Sequence, residues 1–378
     1  MTEPTSPPAT PRLSPLHEQH VALGASFTDF AGWQMPVRYT SDLAEHHAVR
    51  TAAGLFDISH MAEIAVIGEQ AGAFLDAALA GRLSALPVGR AKYSLVLDEH
   101  GGIIDDVIVY RVSEPEYLVV ANASNRDAVV TALRARTADH AVALDDRTDA
   151  LALIAVQGPA ARAILEATPG FSAEGLDALR YYAWAPGAFA LAGESVAVMV
   201  ARTGYTGEDG FELYLDTAHA PALWEALLAA GEPLGLVPAG LAARDTLRLE
   251  AGMPLYGHEL GLSIQPVQAG LGRVVVTDKP AFVGKAAIEA GPGADARVLV
   301  GLSAEGKRAA RAGYPVLAGD EVVGEVTSGA LSPTLGHPIA MAFVHPDHAT
   351  VGTGLDLDVR GSRIPATVVP LPFYRKEA

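Results

Sequence analysis

Ile64-Ala65-Val66-Ile67-Gly68 is an apolar run closed by a glycine, with Ala71, Ala73 and Leu75 following at helical intervals. The same pattern returns 90 residues later as Ile154-Ala155-Val156-Gln157-Gly158, followed by Ala161, Ala163 and Leu165. A second echo links Leu118-Val119-Val120, leading into Ala128, Ala132 and Leu133, with Glu212-Leu213-Tyr214, leading into Ala222, Ala226 and Leu227, at an offset of 94. Short apolar runs predict strands, and apolar residues three and four apart predict helices packed on them. Each unit reads as strand, helix, strands and a further helix. Chance similarity in an Ala- and Val-rich chain is the alternative. A true repeat predicts two related α+β lobes, about residues 57–146 and 148–238, facing each other across a pseudo-twofold. The junction of such lobes favours a ligand pocket.

Beyond the second lobe, Leu241 to Glu250 reads as a helix with Arg244 and Arg248 on one face. Ala290-Gly291-Pro292-Gly293-Ala294-Asp295 reads as a linker. Short alternating runs follow (Arg297 to Leu302, Glu321 to Ser328, Ile339 to Val344, Thr367 to Pro370), separated by Gly and Pro. They predict a small all-β barrel or sandwich over residues 295–378. Residues 15–290 then form one region holding both lobes and their flanking segments.

Composition narrows the class. A chain of 378 residues that is 50% hydrophobic can bury a large core, and two or three domains are expected. The net charge of −17 argues against a nucleic-acid partner, although one local basic pocket suffices for a small anion. The absence of cysteine excludes disulfides, a thiolate nucleophile and Cys-ligated zinc or iron–sulfur clusters. Any covalent sulfur chemistry must arrive on another molecule. No apolar run approaches the ~18–20 residues of a membrane span. Met1 to Leu13, rich in Pro and Thr, lacks the patterns of a secretory signal or a transit peptide. Residues 1–14 are read as a disordered tail on a cytoplasmic protein.

Two segments concentrate chemistry. Gly101-Gly102-Ile103-Ile104-Asp105-Asp106-Val107 is a tight turn opening a strand that begins with two carboxylates. Strand side chains alternate faces, so one of the two must point toward a core or a cavity. A buried acid needs partners or a use in chemistry; turn capping and backbone bonding are the plainer alternative. In Thr203-Gly204-Tyr205-Thr206-Gly207-Glu208-Asp209-Gly210-Phe211-Glu212-Leu213-Tyr214, turn residues precede alternation that sets Glu212 and Tyr214 on one face. A carboxylate beside an aromatic ring suits a flat ligand with adjacent N–H donors, and an ordinary solvated strand face is the alternative. Glu208 and Asp209 read as turn residues. Arg244 and Arg248 either hold ligand carboxylates or pair with neighbouring acids. Tyr93, one strand before the Asp pair, is placed to reach the same pocket. The pairs His17/His20 and His46/His47 lack a third ligand at familiar spacing, so no metal is expected. His60 reads as a hydrogen-bonded core residue entering a strand. No dinucleotide-binding, Walker or nucleophile-elbow motif is present.

From about Pro15 to Tyr374 the chain resembles the glycine cleavage system T-protein family, tetrahydrofolate-dependent aminomethyltransferases. The resemblance is carried by Phe30-Ala31-Gly32-Trp33-Gln34-Met35-Pro36, Gly54 to Met61, the Gly-Gly-Ile-Ile-Asp-Asp run, Gly204 to Gly210, Gly240 to Glu250 and Gly324 to Gly336. It implies an α+β fold, a three-domain cloverleaf with a central channel for folate and a C-terminal β-barrel. It implies that Asp106 is the acid facing the acceptor and that Glu212 reads the pterin edge, with Tyr93, Asn122, Tyr205 and Arg244 on folate-pocket positions. It further implies a lipoylated H-protein as partner, glycine decarboxylase and lipoamide dehydrogenase as indirect ones, and a bacterial cytoplasmic setting. Gln268-Ala269-Gly270-Leu271 departs from the family's Glu-Ala-Gly-Leu, so an acid's role there is not carried over. A folate-dependent demethylase of a small methylated donor is the alternative enzyme. A folate-binding iron–sulfur maintenance protein is the non-enzymatic one, and the missing cysteine weighs against it.

Overall fold

In the computed structural model, which describes residues 11–376, the two echoed patterns form two antiparallel cores of like order. The first sheet has five strands in the order Ala91–Leu97, Ile103–Ser113, Glu116–Ala121, Ala62–Ile67, Ala143–Asp146. The second runs Phe171–Ala173, Trp184–Leu191, Glu194–Ala201, Gly210–Asp216, Leu151–Gln157, then Ala53–Asp57 and Leu236–Pro238. In both, the first strand of the repeat pairs with the strand that leads into the unit's second helix. The glycines closing the first strands, Gly68 and Gly158, have φ of 147° and 133°. A Cβ at either would lie 2.5 Å from a backbone carbonyl oxygen, of Ala141 and of Ala52 respectively. Only glycine fits there.

Strand alternation sorts the side chains of each lobe. Ala62, Ile64 and Val66 pack under helices Ala71–Ala78 and Arg126–Ala135 with Phe74, Leu75 and Leu133. Ala152, Ile154 and Val156 do the same under Ala161–Ala167 and Ala220–Gly231, against Trp224. The opposite faces of both sheets meet each other. Leu118, Val120 and Tyr110 from the first lobe join Leu153, Ala155 and Tyr214 from the second in one shared core. There the Tyr214 hydroxyl donates to that of Tyr110 at 3.2 Å.

Glu63 sits on that inward face and is fully buried. Neither carboxylate oxygen has a hydrogen-bond partner among the described residues. Burial raises its pKa well above 4.5; the nearby charges of Asp146 and Asp149 push the same way, and Arg126, already bonded to both, offsets only part. A raised carboxyl favours the folded state at acid pH, an advantage lost as pH rises above the unfolded value. Glu63→Gln, which cannot ionise, should therefore stabilise the protein at pH 8 by about 1.4 kcal/mol for each pH unit by which burial raises the carboxyl, and much less at pH 4. Thermal melts at the two pH values check this. A gain that is larger at pH 4 would contradict it.

The C-terminal segment forms a closed six-stranded barrel, Val298–Ala304, Pro338–Val344, Glu321–Leu331, Pro315–Ala318, Gly354–Val359 and Ser362–Val369. It docks on helix Leu241–Glu250, whose Leu249 packs with Ala330, Ile339 and Met341. Glu250 is the polar clamp. It accepts bonds from Ser332 and Thr334 of the barrel and from Arg50, with His46 at 3.2 Å. Burial alone would raise this carboxyl, but contacts from His46, Ser332 and Arg50 prevail and bring it down to about 2.

The tail expectation needs correcting at its inner end. Residues 11–14 are ordered. Arg12–Leu13 pairs with Trp33 and Gln34, the Arg12 guanidinium lies 4.0 Å from the Trp33 ring centre, and buried Ser14 donates to Asp57. Backbone pairing and a buried acid thus capture a stretch whose composition suggests none. The rest of that expected tail lies outside the described residues.

A candidate active-site cavity between the lobes

A cavity of about 370 Å³ opens between the inward faces of the two sheets, at the end where helix Leu241–Glu250 closes them. Its wall includes Tyr93, Asp106, Asn122, Tyr205, Glu212 and Arg244, the six residues that the family resemblance implies for the site. They come from four strands or their ends, one turn and one helix, so only the tertiary fold assembles them. A more open groove of about 690 Å³ lies between residues 256–264 and the barrel, and Tyr256 borders both spaces.

The hairpin Asp98–Gly102 places the acid pair. Gly101 has φ of 80°, and a Cβ on Gly102 would lie 2.0 Å from the Leu262 carbonyl oxygen, so the turn is wedged against the following loop. Strand Ile103–Ser113 then sends the two acids to opposite sides, as alternation requires. Asp106 faces the cavity. Its Oδ2 accepts from the Tyr93 hydroxyl at 3.0 Å and its Oδ1 from Asn122 Nδ2 at 2.8 Å. Asp105 is fully buried behind it, accepting from the Asn122 backbone N–H at 2.9 Å, Asn122 Nδ2 at 2.8 Å and Asn125 Nδ2 at 2.6 Å. The Asn122 amide thus bridges both acids, and Asp105 fixes the group that orients Asp106. Burial raises both carboxyls above the ordinary range. The Asp106 charge adds to the rise at Asp105, while Tyr93 and Asn122 restrain it at Asp106.

Strand Gly210–Asp216 divides as the sequence indicates, with Phe211, Leu213 and Leu215 in the second lobe's core and Glu212 turned to the cavity. Glu212 Oε2 receives Thr203 Oγ1 at 2.6 Å and, more loosely, the hydroxyls of Tyr110 and Tyr214, each at 3.5 Å. No described residue bonds Oε1. Burial raises this carboxyl, with Thr203 and Arg244 pulling back. Arg244 stacks over the Tyr205 ring at 4.7 Å, and Tyr205 is tied to the Pro254 carbonyl at 2.5 Å.

The helix partner Arg248 does not reach the cavity. It is consumed by Asp245, Glu259 and Ser328, the structural pairing foreseen as its alternative. Gln268 lies outside as well, bonding the Gln265 amide and the Arg297 carbonyl. His60 is a correction. It sits in the turn before Ala62–Ile67 rather than in the strand, its Nδ1 has no hydrogen-bond partner among the described residues, and it lines the cavity. Tyr182, in the left-handed region at φ 56°, and Phe30 also line it. The aperiodic stretches around them carry no local signal of a site.

The model of the GCVT N-terminal domain matches residues 16–279, and that of the glycine cleavage T-protein C-terminal barrel domain matches residues 297–375. The chain belongs to the glycine cleavage T-protein family. A relative named aminomethyltransferase from Streptomyces avermitilis is 56% identical, covering 97% of this chain and 98% of its own. One of the same name from Saccharopolyspora erythraea is 56% identical over 98% and 100% of the two chains. The crystal structure of the glycine cleavage system aminomethyltransferase T from Bartonella henselae superposes with a TM-score of 0.86 at 37% identity, covering 96% of this chain and 98% of that one. The chain is thus a transferase of the aminomethyltransferase type, with the α+β lobes and terminal barrel of the T-protein fold. Among the described residues no helix is long and apolar enough to cross a membrane.

Proposed function

We propose that the cavity binds tetrahydrofolate and that Asp106 directs transfer to it of an aminomethyl carbon presented on sulfur by the lipoyl arm of a partner H-protein. The supporting observation is the pair of oriented acids on one wall system: Asp106 held by Tyr93 and Asn122, and Glu212 with one oxygen left for a ligand. The fit to a reduced pteridine is chemical. Glu212 Oε1 is an acceptor for the guanidine-like N–H edge of such a ring, and Tyr205, Tyr182 and Tyr93 offer aromatic surface. A cavity of this size lies in the ordinary range for ligands of this class.

Tetrahydrofolate supplies two amine nitrogens for the carbon and gives up two protons, which balance the departing ammonia and the freed thiol. The chain's own residues hold and orient. Asp106, its oxygens pinned by Tyr93 and Asn122, aligns an acceptor N–H and stabilises positive charge developing at the carbon. Its raised pKa lets it carry a proton closer to neutrality than an exposed aspartate does. General acid–base help of this kind is worth roughly 10²–10⁴-fold, and positioning at least as much again. Arg244 and Tyr205 fix the ring end. The missing cysteine is consistent with sulfur arriving on the carrier. The reading places the reaction in a bacterial cytoplasm, with glycine decarboxylase and lipoamide dehydrogenase acting on the same carrier.

The test compares donors. Aminomethyl-lipoyl H-protein with tetrahydrofolate should yield ammonia and 5,10-methylenetetrahydrofolate, whereas free O-, S- or N-methyl compounds should give none. Turnover with methyl donors alone would assign the fold to a demethylase.

A further inference from the structure

His60 is 2% exposed and lines the cavity with Phe30, Met61 and Arg244. The two other fully buried histidines among the described residues are bonded through both ring nitrogens. His20 holds Asp57 and Tyr39 through its two ring nitrogens, and His46 holds Thr334 and Thr246. The Nδ1 of His60 is buried with no partner among the described residues, as are those of the half-buried His17 and His140, but of these three only His60 lines the cavity. The Phe30 ring meets it edge-on at 5.3 Å and 87°, so the imidazole is placed by packing. Nδ1 is sealed within the wall, so the ring nitrogen that a ligand can reach is Nε2, which no described residue bonds.

We propose that His60 is a ligand contact, its imidazole hydrogen-bonding a polar edge atom of the acceptor's pteridine near Arg244 and Glu212. The assignment rests on tetrahydrofolate being the acceptor. Charge selects the pteridine over the donor. Burial, then the Arg244 guanidinium, hold the His60 pKa down to about 4 against a smaller opposing pull from Asp57. The ring is therefore neutral at physiological pH, with one donor and one acceptor. An ammonium-bearing donor gains nothing beside Arg244 and has Asp106 elsewhere in the cavity. A flat neutral heterocycle carrying both carbonyl and N–H groups matches a neutral imidazole next to a guanidinium.

Calorimetric titration of tetrahydrofolate into the full-length wild type, His60→Leu and His60→Asn at pH 7 decides it. His60→Leu should bind about tenfold more weakly, with a melting temperature no lower than wild type, because an unpaired polar atom is gone. His60→Asn, which keeps a donor and an acceptor, should recover part of the affinity. Wild-type binding with an unchanged His60→Leu affinity would make the residue packing alone and overturn this assignment only. A wild type that does not bind would overturn the acceptor as well. Should His60→Leu fail to fold, imidazole ¹⁵N resonances of the wild type answer the question. A His60 shift on adding tetrahydrofolate supports the contact, and its absence refutes it.

Discussion

Asp106→Asn is expected to lower aminomethyl transfer by at least about tenfold while leaving folate affinity and melting temperature near wild type. The substitution keeps the shape of the side chain. The Tyr93 hydroxyl or the Asn122 amide still finds an oxygen, so the strand and the hairpin before it are undisturbed. What disappears is the negative charge proposed to act on the reacting carbon and the capacity to hold a proton there. Single-turnover rates with loaded carrier, set beside folate titrations, separate the two effects. Because burial raises the Asp106 carboxyl, the wild-type rate should fall on the acid side at a pH above the usual aspartate range. The variant should lack that limb. Unchanged turnover would remove Asp106 from the mechanism.

Glu212→Ala is expected to weaken tetrahydrofolate binding by about 1–3 kcal/mol, roughly 5- to 150-fold. Truncation leaves ligand N–H donors facing an emptied wall. It also strips the acceptor from Thr203 Oγ1 and loosens the hydroxyls of Tyr110 and Tyr214. Glu212→Gln, which keeps the volume and one oxygen, should lose less. The maximal rate at saturating folate should change less than the affinity, since the contact proposed for this side chain is with the ring end rather than the carbon. Equal affinity by calorimetry would contradict the role.

Much of this was legible in the residues because alternation and glycine act locally. The fate of Phe211, Glu212 and Leu213 follows from strand period alone, and the duplicated Gly68 and Gly158 follow from a φ that other residues resist. The barrel was visible as short runs between Gly and Pro, but Pro315–Ala318 and Gly354–Val359 were missed, being short or interrupted by acids. His60 and Tyr182 carry no periodic signature. Their position in the cavity depends on how the two lobes meet, a property of the whole fold. The order of residues 11–14 depends on Ser14 finding Asp57, a partner 43 positions away that no local pattern announces. Arg244 and Arg248 show the same limit: identical residues one helical turn apart, one facing ligand space and the other bound to Glu259.

The most direct measurement is a crystal structure of the full-length protein with tetrahydrofolate. The account predicts the pteridine between the two sheets, its N–H edge on Glu212 Oε1 and an amine nitrogen within hydrogen-bond reach of Asp106. Folate bound outside that cavity, or bound inside it with Asp106 turned away from both amine nitrogens, would contradict it.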